Sequence, residues 1–156
     1  LINAGAIRHS IGPGAVSLAD VVTALPFGNR VVLITVSGSQ IEAALRHGLR
    51  SSTTAGPDAG RGGAFLQVSG ISFAVEGTEP KQIRLGGVPL QPEADYLVAV
   101  NDYLADGGDG FGPWLGREDE ERYETFFLVH DLVAEHIRRH DGPVTVPQGG
   151  RIRSGG

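Results

Sequence analysis

The stretch NDYLADGGDGF, Asn101–Phe111, directly follows a strand-like run, Tyr96–Val100, with a glycine-rich loop that carries carboxylates and aromatic rings. Glycine permits positive φ angles and lets a ligand come close to the backbone. Asp109 lies between two glycines, where its carboxylate can accept hydrogen bonds from ligand hydroxyls, and Tyr103 offers a face for stacking. The stretch therefore predicts a ligand-binding loop at the end of a strand.

Composition indicates a globular, loop-rich protein of one domain over residues 1–156. Hydrophobic residues make up 40% and charged residues 20%, a balance that argues against wholesale disorder. The net charge of −5, with no basic stripe beyond the Arg138–Arg139 pair, gives no support for nucleic-acid binding. The absence of cysteine excludes disulfide and thiolate chemistry. No apolar run approaches the ~20 residues of a membrane span.

The sequence starts at Leu1 without a methionine, two residues ahead of the asparagine that opens its first motif. We therefore expect a piece of a longer protein.

Three helices are predicted. The first begins at Ser17, which has capping-box spacing to Asp20, and ends before Pro26. The second begins at Ser39, which has the same spacing to Glu42. Its apolar face is made of Ile41, Ala44, Leu45 and Leu49. The third, Val129–His140, is amphipathic. Its inward face is predicted to hold Leu132, Val133, His136 and Ile137.

Strands are predicted where β-branched and apolar residues alternate or cluster. They are Arg30–Ser37, Phe65–Val75, Gln82–Leu85, Tyr96–Val100 and a short edge strand, Arg151–Arg153. Gly86 and Gly87 have hairpin-turn composition. Residues 51–64 are small, polar and glycine-rich, which predicts a flexible surface loop, and the acidic run Glu118–Glu121 is interpreted as a solvated loop.

Arg8, Phe27 and Asp109 each have a chemical interpretation that rests on the residue type alone. A guanidinium at the end of a small-residue turn can bind phosphate through two hydrogen bonds. Phe27 follows a proline and precedes a glycine, so its ring is expected at the end of an element. Asp109 does not begin a calcium-binding loop, because the residues that follow it do not have the ligand spacing of such a loop.

His136 and His140 have ligand spacing on a helix, but no carboxylate or cysteine cluster accompanies them, so no metal site is predicted.

Four motifs in order resemble the C-terminal, substrate-binding domain of the 5′-nucleotidase family, which includes bacterial periplasmic UDP-sugar hydrolases and animal ecto-5′-nucleotidases. The motifs are Asn3–Arg8, Pro26–Asn29, Gly63–Val68 and Asn101–Phe111. The resemblance implies an α+β fold, a four-layer α/β/β/α sandwich with mixed sheets.

The resemblance also implies roles for individual residues. Phe27 and Tyr103 match the aromatics that clamp the nucleobase, although the family commonly has phenylalanine where this chain has Tyr103. Arg8 matches the arginine on the phosphate side of the cleft, and Asp109 the acceptor for ribose hydroxyls. Asn29 and Gly63 match positions near the base. Asn3, which opens the first motif, completes the substrate-binding set.

In the whole enzymes of that family, a metallophosphoesterase domain with two divalent metal ions and a catalytic histidine–aspartate pair precedes this domain. None of those ligand motifs occurs in this chain, so no catalytic residue or cofactor is predicted in it and it should be inactive alone. Its expected role is to bind the base, ribose and phosphate of a nucleotide for hydrolysis by that N-terminal domain. The same resemblance implies an extracytoplasmic location, periplasmic, secreted or at the cell surface.

Two alternatives stay open from the sequence. One is a non-catalytic nucleotide-binding or cell-surface module that kept the pocket. The other is a relative acting on cyclic nucleotides, NAD or thiosulfate, although Phe27 and Tyr103 argue against thiosulfate because that substrate needs no base clamp.

Overall fold

The β-branched run RVVLITVS forms the central strand of the sheet that positions the candidate site. A computed structural model describes residues 1–51, 62–118, 121–145 and 150–154. The helices are α1 (Leu18–Ala24), α2 (Gly38–Arg50), α3 (Asp102–Ala105), α4 (Gly112–Leu115) and α5 (Val129–Arg139). The strands are β1 (Ile2–Asn3), β2 (Arg30–Ser37), β3 (Leu66–Gln67), β4 (Ile71–Glu76), β5 (Glu79–Leu85), β6 (Val88–Pro89), β7 (Asp95–Asn101), β8 (Arg122–Leu128) and β9 (Ile152–Ser154).

Strand β2 lies between β7 and β8, antiparallel to both. Val32, Ile34 and Val36 alternate inward and are fully buried, as period-two patterning requires. The register pairs Val31 with Asn101. Because antiparallel strands run in opposite directions, the loop after β7 lies beside the loop before β2. The motifs Pro26–Asn29 and Asn101–Phe111 therefore meet at one end of this sheet.

A second sheet has the order β6-β5-β4-β9 and is mixed, since β9 runs parallel to β4 while the other pairs are antiparallel. The predicted turn at Gly86 and Gly87 joins β5 to β6, and both glycines have positive φ. A two-stranded ladder, β1 with β3, pairs Asn3 with Leu66. This ladder brings the motif Asn3–Arg8 next to the motif Gly63–Val68.

The hydrophobic core is shared by α2 and strands of both larger sheets. Ile41, Ala44 and Leu45 on α2 are buried in the same cluster as Ile34 of β2 and Phe73 of β4. The buried face of α2 is the one that the sequence predicts, and Leu49 belongs to it as well. The fold is α+β, while the number of layers stays a prediction.

Three details of the predicted helices differ from the structure. Helix α2 is capped by Ser37 with Gln40, rather than by Ser39 with Glu42, because the helix begins earlier than the spacing of the second pair requires. On α5, Leu132 and His136, both predicted to face inward, are exposed. Val133 and Ile137 are half-buried, in line with the prediction, and the buried residue of the helix is Ala134. The helix packs against α1 and β8. It ends at Arg139, one residue before the predicted end.

The predicted strands are confirmed for β2 and, with small shifts, for β5, β7 and β9. The single strand predicted over Phe65–Val75 is wrong, because Gly70 has a φ of 75° and a bend there separates β3 from β4. Strand β8 is absent from the sequence-based prediction. A register shift opposite it and a positive φ at Phe126 interrupt the alternation that would have revealed it.

Two predicted loops fall partly outside the described residues. Of the predicted loop 51–64, residues 52–61 are not described, and of the acidic run, residues 119–120 are not. Within the described ranges, no helix combines the length and the apolarity that crossing a membrane requires.

Candidate ligand-binding site

Four separate segments of the chain converge on one open cavity of about 410 Å³. Its lining residues are Asn3, Gly5, Ala6, Arg8, Phe27, Asn29, Gly63, Tyr103 and Asp109. All seven residues predicted for the site from the sequence are in this set, and Gly5 and Ala6 are additional. The strand register and the β1–β3 ladder account for the convergence, since they place the four motifs at neighbouring strand ends.

Asp109 is held through both oxygens of its carboxylate. Its Oδ2 accepts a hydrogen bond from Asn3 Nδ2 at 2.8 Å, and its Oδ1 accepts one from the Tyr103 hydroxyl at 2.9 Å. Its backbone is left-handed, with φ 51° and ψ 21°. A carboxylate has about four acceptor positions, so each oxygen keeps capacity for a ligand hydroxyl. The site thus presents a fixed negative acceptor.

Asn3 owes its orientation to a second buried amide. Asn101 Nδ2 donates to Asn3 Oδ1 at 3.1 Å, and both side chains are almost fully buried. Because its oxygen is engaged in this way, Asn3 directs its Nδ2 to Asp109. The end of β7 therefore supports the carboxylate through one intervening side chain.

Asp102 joins the two loops that carry the aromatic rings. Its Oδ1 accepts hydrogen bonds from Asn29 Nδ2 and from the Tyr103 backbone N–H, both at 2.8 Å, and its Oδ2 accepts one from the Arg30 N–H at 3.0 Å. One carboxylate thus joins the Phe27 and Tyr103 loops, which the pairing of β2 with β7 already places side by side. Sequence reasoning did not single out Asp102, although an acidic residue in the first turn of a helix is a recognisable signal.

His47 was also missed, and nothing local to its position on α2 would have revealed it. Its Nε2 lies 2.8 Å from the Asp109 carbonyl oxygen and forms a hydrogen bond with it. Its ring packs edge-on to Phe111 and lies 4.9 Å from the ring of Trp114, measured between centroids. Helix α2 therefore contacts the glycine-rich loop through His47 on the side of the core.

Phe27 and Tyr103 are exposed rings on the wall of the cavity. The carboxylate of Asp109, which accepts the hydroxyl hydrogen of Tyr103, raises the pKa of Tyr103 above its ordinary value, and partial burial adds to the effect. A Cβ added at Gly108 would lie 2.5 Å from the Tyr103 ring. The ring therefore rests against a position that only glycine can fill without displacing it.

Arg8 supplies the positive charge of the site. Its backbone N–H donates to the Ala24 carbonyl at 2.8 Å, which fixes the turn, while its exposed guanidinium makes one long contact, 3.4 Å, with the Gly5 carbonyl. Gly5 in turn donates to the Gly63 carbonyl at 2.8 Å, and a Cβ on Gly5 would come within 3.3 Å of Gly63. Because Arg8 is exposed and lines the cavity, its guanidinium can reach a ligand there.

A larger cavity, about 520 Å³, is lined by Arg117 and Arg122 among others and contains none of the predicted residues. Arg117 donates to the Thr35 carbonyl, and Arg122 is paired with Asp106 and Glu124. The described lining of this cavity includes no aromatic ring for stacking. The smaller cavity is therefore the better candidate.

No group of three or more histidine, aspartate or glutamate side chains could hold a metal ion in the part of the chain that the structure describes. The ring centroids of His136, on α5, and His140, which follows the last residue of that helix, lie 6.2 Å apart.

An α+β fold whose strand-end loops bring two aromatic rings, a carboxylate and an arginine to one open cavity defines a small-molecule-binding domain. Its family follows from comparison with known proteins. The chain belongs to the 5′-nucleotidase C-terminal domain family, which matches residues 1–117. It is thus the C-terminal domain of a 5′-nucleotidase-type protein.

Individual relatives agree with this assignment. The crystal structure of a 5′-nucleotidase precursor from Thermus thermophilus is 33% identical, with a TM-score of 0.84 over 98% of this chain and 30% of that one. An apyrase from Tabanus yao is 28% identical over 98% of this chain and 29% of its own length. A snake venom 5′-nucleotidase from Macrovipera lebetinus is 28% identical over 89% of this chain and 36% of its own. The chain therefore spans about a third of the length of these relatives.

Proposed function

We propose that the Asn3–Asp109 cavity binds the base, ribose and phosphate of a nucleotide and presents the phosphate to a metallophosphoesterase domain elsewhere in the parent protein. The observation that carries the proposal is the meeting of all four family motifs on one cavity. Each of its chemical groups suits a different part of a nucleotide.

The base is placed between Phe27 and Tyr103. Both rings are exposed on the cavity wall, and Asp102 joins their loops. Stacking contributes about 1–3 kcal/mol per base and accepts any base because each has a π-face. Asn29 follows Phe27 closely in the chain and lines the same cavity, where its side chain supports the base end.

The ribose is placed at Asp109. A carboxylate is an acceptor that repels phosphate but accepts hydroxyl hydrogens, and this one is already oriented by Asn3 and Tyr103. The phosphate is placed toward Arg8, whose guanidinium is a permanent cation able to form paired hydrogen bonds with phosphate oxygens. Gly63 and Gly5 have no side chains, so a ligand can approach the backbone at these two positions.

Hydrolysis is assigned to the other domain. In the family, a metallophosphoesterase domain precedes this one, and its metal ions, two in this proposal, would activate the attacking water. The described residues of this chain offer no fitting ligand set, so their own contribution is binding and orientation. An extracytoplasmic location is part of the proposal and is supported by the family and by the venom relative.

Calorimetric titration of the 156-residue chain with AMP, adenosine and inorganic phosphate tests the binding half of this proposal. AMP and adenosine should both bind. Asp109→Ala should weaken adenosine binding by about 1–3 kcal/mol, the value of a lost hydrogen bond to a charged group. Arg8→Ala should weaken AMP binding and leave adenosine binding close to that of the wild type.

Lys81→Ala is the matched control, because Lys81 is an exposed cation on β5 outside the cavity. It should leave all affinities unchanged. Failure of the wild-type chain to bind either nucleotide or nucleoside would overturn the proposal. Equal losses of adenosine and phosphate binding in Asp109→Ala would show that Asp109 shapes the loop instead of contacting ribose.

A further inference from the structure

The hydroxyl of Tyr103 is engaged twice with the same residue. It donates to Asp109 Oδ1 at 2.9 Å and accepts from the Asp109 backbone N–H at 3.2 Å. These two bonds close the loop from Tyr103 to Asp109 on itself. They also stabilise Asp109 in a left-handed conformation that non-glycine residues seldom adopt. The hydroxyl therefore acts on both the backbone and the side chain of the acceptor.

This engagement leaves the cavity open. With the hydroxyl bound to Asp109, the Tyr103 ring still lines the cavity together with Phe27, and the ring rests against Gly108. The ring can therefore stack on a base without releasing the carboxylate.

The other contacts of Asp109 do not replace the hydroxyl. Asn3 holds Oδ2, and His47 holds the main-chain carbonyl, so the orientation of Oδ1 depends on Tyr103. Without that bond, the carboxylate can rotate about Asn3 and lose the orientation it has before a ligand arrives. A group held in place in advance binds more tightly because less ordering is required on binding.

We propose that the Tyr103 hydroxyl is a specificity-determining group that orients Asp109 and so sets the preference of the cavity for ribonucleosides over nucleosides without ribose hydroxyls. This inference rests on the proposed function. It gives one side chain two tasks, since the ring serves the base and the hydroxyl serves the sugar. Phenylalanine, the common residue here in the family, could perform only the first.

The test compares wild type with Tyr103→Phe, which keeps the ring. The measured quantity is the Kd for 2′,3′-dideoxyadenosine divided by the Kd for adenosine, because this ratio cancels any change in stacking that the two ligands share. The ratio should fall about three- to tenfold in Tyr103→Phe, as expected when one hydrogen bond that supports recognition is lost. In an Asp109→Asn background, Tyr103→Phe should change the ratio no further.

Tyr123→Phe is the matched control, since Tyr123 is an exposed tyrosine on β8 outside the cavity. It should leave the ratio unchanged. A ratio that stays constant in Tyr103→Phe overturns the inference. A ratio that rises overturns it too, because the hydroxyl would then compete with ribose for Asp109. If the wild-type chain binds no nucleoside at all, the proposed function fails and the inference fails with it.

Discussion

Gly108 keeps the Tyr103 ring in the cavity wall by having no side chain. A Cβ at this position would lie 2.5 Å from the ring, well inside contact distance, while the φ of Gly108 is not in the left-handed region. Gly108→Ala should therefore displace the ring without straining the backbone. We expect adenosine affinity to fall about tenfold, the lower part of the range for one lost stacking contact, as measured by calorimetry. Gly12→Ala is the control, because a Cβ there meets nothing within 4 Å.

At the scale of single residues, part of the site could be predicted from the sequence and part could not. Local patterns pointed to Arg8, Phe27, Tyr103 and Asp109, while Asn3, Asn29 and Gly63 were added through the resemblance to the family. All seven line one cavity, and their roles in binding stay predictions. Asp102 and His47 escaped because their contacts cross 73 and 62 positions of the chain. Which side chain supports another depends on strand register and helix packing, and neither can be derived from local spacing.

At the scale of elements, Glu79 ties β5 to α2. Arg46 Nε donates to its Oε2 and Arg50 Nη2 to its Oε1, both at 2.6 Å, and these cations hold the pKa of Glu79 below its ordinary value near 4.5. A lowered carboxylate pKa gives stability that is fully present above the unfolded-state pKa and is lost as pH falls through the folded-state pKa.

Glu79→Gln should remove this acid-sensitive contribution. Its free energy of unfolding, measured by urea titration, should therefore depend less on pH than that of the wild type below about pH 4.5. Glu93→Gln is the control, because Glu93 is an exposed carboxylate in a loop. Parallel pH profiles for wild type and Glu79→Gln would contradict the assigned role of the two arginines.

Helix α2 offers a test of its observed cap. Ser37 Oγ accepts from the Gln40 N–H at 3.2 Å, and Gln40 Oε1 accepts from the Ser37 N–H at 2.9 Å. Ser37→Ala should lower the free energy of unfolding by about 1 kcal/mol, as is usual for a lost helix cap. Ser39→Ala, at the position that spacing alone favours, should cost less than half of that in the same urea titration. If Ser39→Ala lowered the free energy of unfolding more than Ser37→Ala does, the cap would be Ser39 and not Ser37.

These elements also show why the predicted boundaries were only partly right. The sequence-based prediction chose Ser39 with Glu42, whereas the observed cap is Ser37 with Gln40, because the start of the helix is set by where β2 ends. Strand β8 is interrupted by the positive φ of Phe126, and its pairing with β2 is a long-range property. By contrast, β2 carries apolar residues on both faces and was predicted with its observed bounds.

At the scale of the whole molecule, the proposed binding cavity lies in a chain whose described residues include no cluster that could hold a metal ion. We expect no metal-dependent turnover of AMP or a generic phosphomonoester by the 156-residue chain, with manganese, cobalt or zinc added, because its described residues offer no dinuclear ligand set. Phosphate release is the measurement. Turnover that persists through rigorous purification, and that Asp109→Ala abolishes, would contradict the division of labour between two domains.

Trp114 is the single tryptophan of the sequence, and it lies against His47, which is itself hydrogen-bonded to the Asp109 carbonyl. Indole emission responds to the groups that touch the ring, so the chain contains an unlabelled optical reporter two contacts away from the cavity. A ligand that alters the Asp109 loop should change the intrinsic fluorescence of Trp114, and His47→Leu should uncouple the signal from binding. Ligands too weak for calorimetry could then be screened by light alone, with no dye attached to the protein.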